Sequence, residues 1–81
     1  KRQYGYYVFP VLEGSRLIGR LDAKALRDQS TLRLRAFWPE AGIILSTGRL
    51  QRLEAELHRL ARFAGCDTVA MEDGWQRATL A

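Results

Sequence analysis

Arg16, Arg20 and Lys24 recur every four residues in a stretch that is otherwise mostly apolar, and Arg33 and Arg35 follow two apart. Tyr7 and Phe9 precede this series and Phe37 closes it. Guanidinium and ammonium groups neutralise phosphates and release counterions, and aromatic rings stack on exposed bases. If one surface gathers these side chains, its chemistry is the binding of a polyanion. Two plainer readings stand beside this one. Lys and Arg routinely fill the solvated side of a sheet. Exposed aromatics among charges also suit a face that docks onto another domain.

The remaining polar residues offer no reaction chemistry. His58 is the only histidine and sits on a predicted helix, with Glu54 one turn away; two side chains without a third ligand make a poor metal site. Glu54 and Glu56 do not face each other on a helix. Gly14, Gly19 and Gly42 are too scattered for a phosphate loop. Cys66 is the only cysteine, so no internal disulfide or Cys-rich metal site forms, which fits a reducing, cytoplasmic compartment. Following Gly65, it reads as a small buried apolar residue. We expect no catalytic residue, no metal and no cofactor in these residues.

Charge is unevenly spread. Through Trp38, eight Lys and Arg stand against three Asp and Glu, a balance of +5, whereas Pro39 to Ala81 holds five against six, or −1. A basic first half suggests an anionic partner there. Hydrophobic residues make up 47% and charged residues 27% of the 81 residues, the balance of one small globular domain. No apolar run approaches the roughly 20 residues of a membrane span, and no signal-peptide pattern opens the chain. The chain starts at Lys1 on the run-up to a strand, so we expect residues 1–81 to be a single domain cut from a larger protein.

The elements that must position the basic residues follow from periodicity. Residues 6–12 are rich in aromatic and β-branched side chains and predict a strand, which Pro10 confines to a sheet edge or a bulge. Gly14-Ser15 is a two-residue hairpin signal. Residues 16–25 form the returning strand, 27–30 a polar turn, and 31–38 a third strand. There Leu32, Leu34 and Ala36 share one side, and Arg33, Arg35 and Phe37 the other. A tight Gly14-Ser15 loop sets Val8 opposite Leu21 and Phe9 opposite Arg20. One face then collects Tyr6, Val8, Pro10, Leu12, Leu17, Gly19, Leu21 and Ala23. The other collects Tyr7, Phe9, Val11, Glu13, Arg16, Ile18, Arg20, Asp22 and Lys24.

Ser46 or Thr47 is the expected N-cap of a helix over 47–64, with Gly65 as its stop. Leu50, Leu53, Leu57, Leu60, Ala61 and Ala64 fall on one stripe, and burying the four leucines contributes about 1.5–3 kcal/mol each. Residues 68–71 form a short last strand, parallel to the third because the helix reverses the chain. The predicted fold is α+β: a small, mainly antiparallel β-β-β-α-β sheet with one amphipathic helix on one face. The candidate anion-binding residues are Arg16, Arg20, Lys24, Arg33 and Arg35. Tyr7, Phe9 and Phe37 are the candidates for stacking or interdomain contact.

The stretch Tyr4 to Trp38 carries a further signal: Tyr-Gly-Tyr-Tyr-Val, then Pro10, a Gly hairpin, Arg16-Leu17, Gly19-Arg20, Asp22 and Lys24-Ala25. This pattern resembles the C-terminal segment of the bacterial crosslink-repair DNA glycosylases, the YcaQ/AlkZ-like family. The leucine-striped helix and short last strand follow in the family's order. The resemblance implies tandem winged-helix domains upstream and a β-rich C-terminal domain. It implies a monofunctional glycosylase that excises N-alkylated bases and unhooks interstrand crosslinks, with DNA as partner and no membrane. The family's catalytic Gln–apolar–Gln or Gln–apolar–Asp motif belongs to the upstream region. Gln3, Gln29, Gln51 and Gln76 stand in no such motif, so no catalytic residue is carried over to this chain.

Overall fold

A computed structural model describes residues 6–79; Gln3 and the motif residues Tyr4 and Gly5 lie outside them. Four strands form one sheet in the order β1-β2-β3-β4: β1 Tyr6–Glu13, β2 Arg16–Leu26, β3 Thr31–Pro39 and β4 Thr68–Met71. The first three are antiparallel, and β4 runs parallel to β3, pairing Leu32 with Val69. One helix, α1 Thr47–Phe63, crosses one face and lies over β3 and β4. The α+β class, the element order and the parallel last strand all match the sequence expectation.

The helix ends follow from local chemistry. Ser46 is the N-cap, and its hydroxyl accepts the Arg49 N–H at 3.2 Å. At the other end Gly65 takes φ 78°, a left-handed conformation that a side chain would strain. Its N–H bonds the Arg62 carbonyl while the Cys66 N–H reaches back to Ala61, a Schellman stop. Cys66 and Ala61 are both buried there, which closes the motif on an apolar contact. Leu53, Leu57, Ala61 and Ala64 from the predicted stripe are buried, and Leu50 and Leu60 are half-buried.

Two bulges set which side chains enter the core. In β2, Leu12 pairs with Leu17 but Val11 pairs with Gly19, so Ile18 is an extra residue. In β3, Asp22 pairs with Ala36 but Ala23 with Leu34, so Arg35 is extra. Because side chains alternate with period two, one inserted residue exchanges the faces of everything beyond it. The first bulge places Phe9, not Val8, opposite Leu21. Tyr7, Phe9 and Val11 therefore pack against the core beneath the helix. Tyr6, Val8, Pro10 and Leu12, which the tight-hairpin register assigns to the core face, are exposed instead. The second bulge returns Phe37 to the core, where it is fully buried, rather than to the side of Arg33 and Arg35.

The first bulge is locked by Gly19. A Cβ there would stand 2.4 Å from the Phe37 ring and 2.7 Å from the Trp38 carbonyl oxygen. Only a residue without a side chain lets the ring lie flat on β2. Phe37, Leu21, Leu32, Leu34 and Leu57 are the largest fully buried side chains, and they surround this contact in one core.

The hairpin is tied to the helix by charge. Glu13 accepts from Arg49 Nε at 2.9 Å and Nη2 at 3.1 Å, a two-point contact, and from Arg52 at 3.2 Å. Arg49, chiefly through its hydrogen bonds, holds the Glu13 carboxyl down from its ordinary 4.5 to about 2. Beside β1 the helix leaves a mostly apolar groove of about 440 Å³, lined by Phe9, Val11, Leu21, Leu53, Leu57 and Leu60, with Glu56 and Arg59 also on its wall.

Two outcomes follow. Gly19→Ala should lower stability by about 1–3 kcal/mol through overpacking against Phe37, measured by urea denaturation; an unchanged midpoint would exclude the close ring contact. A carboxyl whose pKa falls on folding stabilises the fold fully above 4.5 and loses that contribution as pH drops toward about 2. Stability should therefore decline across that interval, and Glu13→Gln should flatten part of the decline. Parallel pH profiles for the two proteins would rule out the clamp.

Candidate nucleic-acid interface

The face of the sheet away from α1 is built by the outward residues of all four strands. Its rows follow from the register. At one end Tyr6, Lys24, Arg33 and Ala70 stand side by side on β1, β2, β3 and β4. In the middle are Val8, Asp22 and Ala36, and at the other end Pro10, Arg20 and Trp38. Arg35, freed from pairing by its bulge, reaches toward β1 so that its guanidinium lies 5.8 Å from the Tyr6 ring centroid. The Lys24 ammonium stands 5.0 Å from the same ring. Such cation–π contacts contribute roughly 0.5–1 kcal/mol at exposed sites and fix where the cation sits.

Of the five predicted anion-binding residues, the structure brings four together: Arg20, Lys24, Arg33 and Arg35. Arg16 is separated from them. It pairs with Glu13 at the hairpin tip, before the Ile18 bulge, and Glu13 is turned toward the helix. The three predicted aromatics do not join the basic face, since Tyr7 and Phe9 pack against the core and Phe37 is buried within it. Their places are taken by Tyr6 and Trp38, which the unbroken alternation had assigned elsewhere or passed over. The adjacent residue in each pair, Tyr6 for Tyr7 and Trp38 for Phe37, is the one that a bulge exchanges onto this face.

Charge pairing separates this face from the helix. Arg49 and Arg52 are held by Glu13, and Arg59 is paired with Glu56. On the open face Arg33 meets a carboxylate, Glu72, at 3.6 Å and with both side chains substantially exposed. Arg20 and Arg35 have no carboxylate partner among the described residues. Asp22 lies between the two basic rows, and its Oδ1 is buried with no hydrogen-bond partner. A buried acceptor left unmade costs about 1–3 kcal/mol.

The arrangement can neutralise and hold an extended anion. It offers no nucleophile beside a base. Among the described residues, no three His, Cys, Asp or Glu side chains converge on a point. His58 is exposed on α1, and Cys66 is buried at the helix stop. Among the described residues, no helix is long and apolar enough to cross a membrane.

No solved structure matches the chain. The family model described as DNA glycosylase AlkZ-like matches residues 1–63, which span β1 through the last turn of α1 and include all four clustered basic residues. The match covers more than half of the sequence, so this chain belongs to the AlkZ-like DNA glycosylase family.

Proposed function

We propose that this domain is the C-terminal accessory part of a DNA-repair glycosylase, and that its open sheet face holds the phosphate backbone of the DNA under repair. The observation that carries this reading is the collection of Arg20, Lys24, Arg33 and Arg35 on one face, where Arg20 and Arg35 have no carboxylate partner among the described residues. Family membership supplies DNA as the polyanion. In this reading, cleavage of the N-glycosidic bond, with excision of N-alkylated bases and unhooking of crosslinks, belongs to winged-helix domains upstream in a cytoplasmic protein. The present domain contributes affinity or shapes the cleft. A glycosylase must position water against the sugar with a polar side chain, and the open face supplies mainly cations, with Asp22 among them.

A second reading has its own support. Tyr6, Val8, Leu12 and Leu17 form an exposed apolar strip along the β1 edge, between 41% and 60% accessible. Strips of this kind mark interdomain contacts, so in this reading the β1 half of the face serves the parent protein rather than DNA, in a purely structural module.

The two readings separate in one experiment on the full-length protein. If the cations touch phosphates, Arg20→Ala and Arg33→Ala should each lower the slope of log affinity against log salt by about one unit. Unchanged slopes in both variants would remove the DNA-contact reading. Docking through the apolar strip instead predicts that Val8→Ser and Leu12→Ser bring thermal unfolding to lower temperature and leave the salt slope intact.

A further inference from the structure

Beyond β4 the chain continues along β3 as a fifth edge segment. The Phe37 N–H donates to the Trp75 carbonyl at 2.7 Å, the Arg77 N–H donates to the Phe37 carbonyl at 2.9 Å, and Gln76 forms a parallel bridge with Phe37. Trp75 packs against the core and anchors the segment. These contacts place Arg77 beside Trp38, with its guanidinium 5.7 Å from the indole centroid and one Nη donating to the Arg35 carbonyl at 3.2 Å. Arg20 stands on the other side of Trp38, as its register partner on β2. Arg77 lies outside the span that the family model matches.

We propose that Arg77 is a phosphate-contacting residue, and that the tail after β4 completes the basic face by forming the row Arg20, Trp38, Arg77. This inference rests on the DNA-contact reading above. Three observations support it. Arg77 is exposed and has no carboxylate partner among the described residues. Its single carbonyl bond uses one of five N–H donors, and stacking on Trp38 directs the guanidinium without neutralising it. The strand segments carrying Arg20 and Arg77 flank β3, about 10 Å apart at a strand spacing of roughly 4.8 Å, so the two cations meet neighbouring positions on one backbone.

The row has a counterpart. Lys24 lies four residues along β2 from Arg20, about 13 Å away at roughly 3.3 Å per residue, with Arg33 as its register partner on β3. Asp22, with its unpartnered Oδ1, stands between the two rows. A phosphate is favoured at either row and repelled in the middle. The face therefore touches an anionic backbone at two places, and the tail supplies half of one of them.

The test is salt-titrated binding of a short mixed-sequence DNA duplex by the full-length protein. Arg77→Gln should lower the salt slope by about one unit, as Arg20→Ala does, whereas Arg77→Lys should keep it. A merely structural Arg77 would leave the slope unmoved in both variants. If Arg77→Gln loses the fold, Arg77→Met, which keeps an apolar stem over Trp38, carries the same comparison. A lowered slope in Arg20→Ala with an unchanged slope in Arg77→Gln overturns this inference and leaves the DNA-contact reading standing. Unchanged slopes in both overturn the two together.

Discussion

The contact of the Phe37 ring with the bare backbone of Gly19 organises the rest of the structure. It fixes the bulge at Ile18, because the ring occupies the volume that a side chain on Gly19 would need. The bulge in turn decides which face of β1 meets the helix. Phe37 itself reaches that position only because Arg35 is an extra residue in β3. Two single-residue insertions on neighbouring strands therefore compensate each other across one packing contact. The core beneath α1 is their common product.

The same insertions sort the charges. By turning Phe37 inward, the β3 bulge leaves Trp38 on the open face beside Arg20, and it releases Arg35 to lie over Tyr6. By turning Tyr7, Phe9 and Val11 inward, the β2 bulge leaves Tyr6 beside Lys24. Glu13 is left on the helix side, where it collects Arg49 and Arg52. One face becomes a neutralised hairpin-to-helix junction and the other a cationic surface with aromatic supports. Electrostatics at the open face is thus a consequence of core packing. Exposed ion pairs contribute little to stability, so leaving Arg20 and Arg35 without carboxylate partners among the described residues costs the fold little.

Different parts of the architecture were legible for different reasons. The helix was readable because its stripe, its Ser46 cap and its Gly65 stop agree with one another. The strands were readable from composition and turn residues, and the parallel last strand from chain reversal. The side assignment in β1 was not, because Tyr6 to Leu12 is apolar at both odd and even positions. Either register buries hydrophobic side chains, so alternation carries no preference there. Lys24 and Arg33 could be placed on this face since they alternate with buried Ala23, Ala25, Leu32 and Leu34 in the unbroken stretches 21–26 of β2 and 31–34 of β3. Arg16 was misplaced because it lies across the Ile18 bulge from Arg20, and Arg77 was passed over because nothing local marks the tail as a strand.

By itself the sequence determined the fold class, the element order, the helix with both of its ends, the concentration of positive charge in the first half, and the family. These depend on interactions a few residues apart, or on composition, and are written in local pattern. Only the tertiary structure decided which face each β1 residue takes, that Tyr6 and Trp38 rather than Tyr7 and Phe37 support the cations, and that Arg77 joins them from the tail. The physical reason is that a bulge is chosen by a contact between strands. Gly19 and Phe37 are eighteen residues apart, and the energy that selects their register exists only once β2 and β3 are paired.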